Sequence, residues 1–590
     1  MRGRRALLPG TLLLAALPLL PAAFPVAPVP ETRQAATLRV GLWTLWRDTV
    51  ITVVPGVGGK ASLHTCEGCR SEGLAKPLTI RAAGNLLALG DSRQVAAVWL
   101  EGPVSLAAHG ERLALGRPLR IGARRGVLTL AVTLPVETYV EQVVASESGP
   151  ADTPESLRAL AIVVRSFALH SPRRHAEYEL CDSTHCQLLH WGGSPERRPA
   201  AHSATLATAG ETLWFRGRRA AAWFSQNCGG RTAAPGEVWP GSGRPAMPWL
   251  GSRADSYCTA GGTREWSAEL SLEELTGTLA AAGLASPGWT SLTVARRGES
   301  GRAVTLRADE TEIPAEDFRL AVGRAMGWSR ILSNWFEVAR AGDRFIFHGR
   351  GAGHGVGLCQ AGAAAMAAGG QDTAQILGQY FPGAVASDEV TGRSWQRFKG
   401  PGFALETLDA GDARYLPDAS RALAEAEKLS GLRAAGRVTV RAFATTPAFR
   451  DATLAPGWVA AFTEGNWIGT QPLRTLAERG MLGTVLRHEF LHALVEDQAG
   501  NRTPLWLREG LVETWNSEAL NGKSRDRAKP AINLEQVDRV LAHAASQAES
   551  AAAHRAAGWF AARLLDRFGP DQVLAWLRSG IPASAAAAFP

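Results

Sequence analysis

A chain of 590 residues is too long for one ordinary hydrophobic core, and two to four domains are expected. Lys and Arg outnumber Asp and Glu by 63 to 55, a formal charge of +8 with a pI near 9.4. The arginines are scattered and no aromatic residues interleave with them, which argues against a nucleic-acid partner.

The first 28 residues read as a secretory signal. Arg2 to Arg5 form a positive start, "ALLPGTLLLAALPLLPAAF" an apolar run, and "AAF" or "VAP" a small-residue cleavage site. A membrane anchor is the alternative, but Pro9, Pro18 and Pro21 interrupt the run and no later stretch is apolar enough to span a bilayer. No cysteine lies near the cleavage region, which argues against a lipoprotein. For an exported chain, the positive charge suits an anionic envelope polymer. The cysteines are Cys66, Cys69, Cys181, Cys186, Cys228, Cys258 and Cys359; this odd number requires an unpaired thiol or a metal site.

From Leu38 to Leu134 short β-rich runs such as "LRVGLW", "PLTIRAA" and "VLTLAVTL" alternate with Gly-containing turns, which reads as a sheet module. Helical spacing begins at "LPVETYVEQVVASESGP". Val136, Val140, Val143 and Glu147 share one stripe, while Glu137 and Glu141 point elsewhere. Glu147 is then either a desolvated carboxyl with the raised pKa of a general acid, or a frayed helix end before Gly149-Pro150. In "TPESLRALAIVVRSFAL", Thr153, Pro154 and Glu155 signal a helix start. Leu157, Leu160, Ala161, Val164 and Ala168 form its core stripe, with Arg158 and Arg165 a heptad apart and read as surface charges. "HAEYELCDSTHCQ" then offers His175, Cys181, His185 and Cys186, a set suited to closed, structural, tetrahedral zinc; the alternative is a Cys181–Cys186 disulfide.

Four ordered motifs carry a resemblance: "LPVETYVEQVVASESGP…ESLRALAIVVRSFAL", "CDSTHCQ", "FSQNCGGRT…EVW…YC" and "GRGAGHGVGLCQAGAAAMAAGG…ILGQYFPG". Residues 38–383 resemble the stage II sporulation protein D family, which includes amidase enhancers. The resemblance implies a lytic transglycosylase that cleaves peptidoglycan glycan strands, with Glu147 as its catalytic glutamate and Arg165 and Tyr380 as active-site residues. It also places His175, Cys181, His185 and Cys186 where some members bind zinc. His354 and its glycines resemble the family's Gly-His-Gly loop, where close backbone approach would suit a glycan; with Gln360 they are the expected substrate-binding residues. No Lys-Ser/Thr follows, which opposes a nucleotide loop. Cys228 and Cys258 flank the "GGRT…VW" segment as candidates for one disulfide, and Cys66 and Cys69 for a small CxxC bridge; Cys359 would be unpaired.

Periodicity lapses over 384–402, which reads as a linker to a second domain at 403–590. There "LRHEFLHALVEDQAGNRTPLWLREGLVE" sets His488 and His492 one turn apart on a stripe with Met481, Val485 and Val495, with Glu489 between the histidines. This HExxH pattern is a zinc pair with a general base, or else a satisfied helical histidine pair. The Trp-x-x-Glu-Gly segment that follows resembles gluzincin ("peptidase MA-like") peptidases, which implies Glu509 as third ligand and a fourth position for water. No tyrosine follows Tyr415, so His554 stands in as oxyanion stabiliser, with a surface histidine as the alternative.

The expected architecture is α+β and multidomain: a β-rich N-terminal module, a mixed α/β transglycosylase-like region, and a mostly helical zincin-like domain with a small sheet. The expected protein is exported, acts on peptidoglycan, holds one structural and one catalytic zinc, and has an amidase as a candidate partner. The rival readings are a non-catalytic amidase-enhancer module and a wall-targeted protease with HExxH as its sole active site.

Overall fold

The computed structural model describes residue 36 onward, except 57–60, 67, 91–92, 171–174, 192–193, 242–246, 261, 263, 522–529, 545, 583–584 and 586–590 and the side chains of 518–521. The secretory signal read at 1–28 therefore lies outside the described residues.

The alternation seen between Leu38 and Leu134 becomes two six-stranded sheets, to one of which Leu180–Cys181 adds a seventh strand. In the larger one, β1 (Thr37–Leu42) runs antiparallel to Val127–Pro135, from Thr37 opposite Pro135 to Leu42 opposite Leu130. Leu38, Val40 and Leu42 from one strand, and Leu128, Leu130, Val132 and Leu134 from the other, all enter the core, as the two-residue period demands. The second strand leads without a loop into helix α1 (Val136–Glu147), whose Val136, Val140 and Val143 are buried as expected. Helix α2 (Pro154–His170) is buried almost all round from Ser156 to Ala168, so it is a central element rather than an amphipathic surface helix. Helix α3 (Arg198–Ala207) packs beside both.

Two differences from the expected boundaries stand out. Residues 265–350 carry a core of their own, built on Leu270, Leu275, Phe318, Phe336, Phe345 and Phe347, inside what reads as one region from 38 to 383. Its strands form two separate three-stranded sheets, Glu265–Ser271 with Phe336–Ala341 and Arg344–Arg350, and Leu292–Arg297 with Ala303–Ala308 and Thr311–Pro314. The presumed linker is also shorter than 384–402: Val385–Asp388 pairs with Glu211–Phe215, and Gln396–Lys399 pairs with Phe403–Thr407. Each strand is only four residues long, too short for alternation to register in the sequence.

The C-terminal lobe is a five-stranded mixed sheet, ordered Gln396–Lys399, Phe403–Thr407, Val438–Ala442, Trp467–Thr470, Ala461–Glu464. Helix Leu482–Gln498 packs against it, with Leu416–Ser430 and Leu505–Asn521 beside that helix and Gln547–Ser579, kinked at Gly569-Pro570, packed on Leu505–Asn521. Residues from Ala35 on form one unit, and the joint is well built. Leu206 and Ala209 pack on Phe443, Phe449 and Trp467, Arg441 reaches Glu211 at 2.6 Å and Glu406 at 2.9 Å, and His202 lies 2.8 Å from both Glu141 and Glu464. No helix among the described residues is long and apolar enough to cross a membrane.

Candidate functional site

Glu147 closes α1, half-buried rather than frayed. Burial pushes its carboxyl up to about 7, against a backbone hydrogen bond from Leu188 that lowers it. The end of the helix is tied down on two sides: Gln360 Nε2 donates to the Glu147 carbonyl at 3.0 Å, and Arg197 donates to the Ser148 carbonyl. Gln360 therefore positions the backbone of Glu147, a role distinct from the substrate binding expected of it.

Arg165 is paired inside the protein, with Glu137 at the far end of α1 from Glu147. Its side chain is fully buried, with Nε 2.9 Å and Nη2 2.5 Å from the two oxygens of Glu137, and its remaining hydrogens go to the carbonyls of Glu211 and Thr205. Glu137, expected to point away from the core, is 8% exposed for this reason. It opens α1 and Glu147 ends it, ten residues and about 15 Å apart. A buried charge needs a partner, and here the partner is in the protein. Arg158, by contrast, is a half-exposed surface charge paired with Glu155.

The loop after α2 gathers four possible ligands. His175, Cys181, His185 and Cys186 offer ring nitrogens and sulfurs that all lie within 4.8 Å of one another, with His175 Nε2 3.4 Å from Cys186 Sγ. The edge of a tetrahedral zinc site is about 3.3–3.8 Å, so the set fits such an ion. Asp182 holds the loop in place by accepting from the backbone of Trp43 at 2.6 Å and Thr44 at 3.2 Å and from the indole of Trp191 at 3.1 Å.

The glycine loop has a packing explanation. Gly355 and Gly357 have positive φ, and a Cβ on them would lie 2.3 Å from the Arg302 guanidinium and 2.1 Å from the Trp223 carbonyl. His354 Nδ1 accepts from the amide of Val356 at 3.0 Å, its ring stands 5.2 Å from that of Trp239, and burial lowers its pKa to about 4. The close approach seen here is to the protein's own backbone and side chains. Tyr380 is likewise buried, its hydroxyl donating to Asp255 at 3.0 Å.

Among the cysteines, Cys66 and Cys69 are joined as expected. Cys228 and Cys258 are not: both remain thiols, and Cys359, expected to stand alone, lies with them. Asp255 completes this group and was missed in the sequence, because its three thiol neighbours are 27, 3 and 104 positions away in the chain.

In the C-terminal lobe, the helix Leu482–Gln498 buries Leu486, Glu489, Phe490, Ala493 and Leu494, and leaves His488 and His492 half-buried on its other side with Val485. The two Nε2 atoms are 3.1 Å apart, and Glu509 Oε2 lies 3.6 Å from His492 Nε2. Each of these two separations is near the edge of a zinc tetrahedron. Burial pushes His488 down to about 3; burial pushes the Glu509 carboxyl up, but His492 and His554 outweigh it and hold it at about 2. Neutral imidazole and ionised carboxylate are the forms that bind a cation. Burial raises Glu489, and Thr463 Oγ1 donates to its Oε2 at 2.6 Å; Thr463 carried no signal in the sequence. His554 Nε2 lies 3.3 Å from Glu509 Oε2, so it is paired with Glu509 instead of lying free on the surface.

A cleft of about 750 Å³ lies at the joint of the lobes, lined by Arg158, Thr373, Trp395, Arg437 and Trp467, and contains neither Glu147 nor Glu489.

Residues 124–215 match the family described as "SpoIID: Stage II sporulation protein", and residues 258–357 match a domain of unknown function, DUF8618, which coincides with the separate core at 265–350. An uncharacterised protein of Brachyspira hyodysenteriae is 29% identical over 253 residues, 42% of this chain and 66% of that protein, so the chain spans just under two thirds of its length. Stage II sporulation protein D of Bacillus subtilis is 26% identical over 48% of this chain and 83% of its own, and that of Bacillus amyloliquefaciens 25% identical over 43% and 75%. The N-terminal part of the chain is thus sporulation protein D-like, as its ordered motifs imply.

Proposed function

We propose that this is an exported protein that remodels peptidoglycan, with a lytic transglycosylase in its N-terminal part and a zinc-dependent peptidase-like site in its C-terminal lobe. One observation carries the first activity: a carboxyl at the end of a buried helix, poised at about 7 and clamped through its backbone by Gln360. Such a group can give a proton at neutral pH and take one back. The protonated Glu147 donates to the glycosidic oxygen between MurNAc and GlcNAc as the C1–O bond breaks. The resulting carboxylate accepts the proton of the MurNAc C6 hydroxyl while that oxygen bonds to C1, leaving a 1,6-anhydro end and a carboxyl ready for another turn. A second carboxylate is unnecessary, because the substrate supplies the nucleophile. His175, Cys181, His185 and Cys186 would hold a structural zinc that keeps the loop beside α1 in shape.

In the C-terminal lobe His488, His492 and Glu509 would hold zinc, which supplies a Lewis acid for water and carbonyl oxygens. Glu489 is the proton acceptor, kept in one rotamer by Thr463, and passes its proton to the leaving amine. His554 fixes Glu509.

The test is mass spectrometry of glycan strands, with and without stem peptides, incubated with the mature protein, its Glu147→Gln variant and its Glu489→Ala variant. Anhydromuramoyl ends are expected from the parent and from Glu489→Ala but not from Glu147→Gln. Their absence from every sample, together with stimulation of an added amidase that survives Glu147→Gln, would replace this reading with the enhancer module. Chelator-sensitive peptide cleavage lost in Glu489→Ala alone would leave HExxH as the sole active site.

A further inference from the structure

Three thiols and a carboxylate meet in the interior in a cluster that includes neither Glu147 nor Glu489. Cys228 and Cys359 are 0% exposed, Asp255 1% and Cys258 6%, and their sulfurs and a carboxylate oxygen all lie within 4.8 Å of one another. The sequence brings them from three places. Phe224–Ser225, just before Cys228, pairs in parallel with Leu358–Cys359, which sets those two cysteines side by side. Gly229 and Gly230 then turn back with positive φ, and Asp255 caps the short helix Ser256–Thr259 by accepting from the Cys258 amide at 3.0 Å.

We propose that Cys228, Cys258, Cys359 and Asp255 form a structural zinc site. Asp255 brings a buried carboxylate and the cysteines three sulfurs, and four ligands of this kind close the sphere of a tetrahedral zinc ion. Cys228 Sγ lies 3.2 Å from Asp255 Oδ2 and Cys258 Sγ 3.2 Å from Asn227 Oδ1. Cys359 Sγ accepts from two backbone amides, Cys228 at 3.2 Å and Gly362 at 3.4 Å, and Tyr380 donates to Asp255. Fully buried Arg302 donates to the Cys228 carbonyl at 2.6 Å and brings a positive charge to a site whose ligands outnumber the charge of zinc. A disulfide between any two of the cysteines would strand the third sulfur and the carboxylate without a cation. The site also joins three parts of the fold: the segment at Cys228, the start of the domain at 258–357, and the helix Gln360–Ala368. Through Gln360, that helix holds the carbonyl of Glu147. The assignment does not depend on what Glu147 does.

The experiment uses the mature chain carrying Cys181→Ser and Cys186→Ser, which removes the thiolates of the other cluster. Loaded with cobalt(II), it should retain an intense sulfur-to-cobalt charge-transfer band, and Cys359→Ser or Asp255→Asn added to it should weaken or shift that band. Elemental analysis of the zinc form should lose one equivalent in Cys359→Ser. Should those variants fail to fold, alkylation of the parent chain in denaturant without reductant decides, because metal-bound thiols then react. Modification at Cys228, Cys258 and Cys359 together, with zinc released from the Cys181→Ser/Cys186→Ser chain on titration with an organomercurial, supports the site; modification with no zinc released, a linked Cys228–Cys258 peptide, or no thiolate band in the Cys181→Ser/Cys186→Ser chain, overturns it.

Discussion

Replacing Arg165 by Met separates a structural arginine from a catalytic one. The guanidinium is fully buried and shares two hydrogen bonds with Glu137, so its removal leaves a carboxylate that is 8% exposed with only the Gly210 amide, at 3.2 Å, to hold it. Breaking such a pair costs about 3–5 kcal/mol, because the remaining charge has lost its partner. For a cooperative unit of about 150–250 residues this lowers Tm by roughly 6–20 °C. Adding Glu137→Leu removes the stranded charge and should recover much of the loss. Recovery stays incomplete by about 1–3 kcal/mol, since the carbonyls of Thr205 and Glu211 and the Gly210 amide remain without their partners. Calorimetry on the full chain, with the single and double variants in one cycle, reads the coupling directly. If Arg165→Met unfolds with the parent while anhydromuramoyl products vanish, the pair is not structural and the arginine acts on substrate.

Other outcomes follow from the same contacts. Glycan cleavage needs Glu147 protonated, so its rate should fall about tenfold per pH unit above about 7; a flat profile from pH 6 to 9 would remove Glu147 as the acid. Burial also raises Glu389 to about 7 from an ordinary 4.5, and its Oε2 has no hydrogen-bond partner. The unfolded chain loses that proton first, so stability falls as pH rises from about 4.5 to 7. Glu389→Gln should then raise Tm at pH 8 and leave it unchanged at pH 4, and an equal effect at both would refute the assignment. Gly510 faces the Ala557 carbonyl, which a Cβ would approach to 2.3 Å. Gly510→Ala should cost about 1–3 kcal/mol and displace Glu509, lowering peptide hydrolysis without touching glycan products.

What could be learned from the sequence by itself was local. Two-residue alternation placed the N-terminal strands, the valine stripe of α1 and the start of α2 followed from spacing, and the ligands of the loop after α2 lie within a dozen residues of one another. HExxH is local too, since one helical turn brings His488 and His492 to 3.1 Å. Features that depend on distant segments were decided only by the tertiary structure. A periodicity argument leaves Arg165 on a surface and Glu137 pointing away, because nothing in α1 alone shows that α2 packs across it. Glu147 could equally have frayed, until Gln360, 213 positions away, closed over its carbonyl. Cys228, Asp255, Cys258 and Cys359 have no motif spacing, and their convergence is made by a parallel strand pair and two glycine turns. Neighbouring residues fix which faces are apolar, but which buried charge meets which partner is fixed by how those faces pack, where leaving one unpaired costs the most.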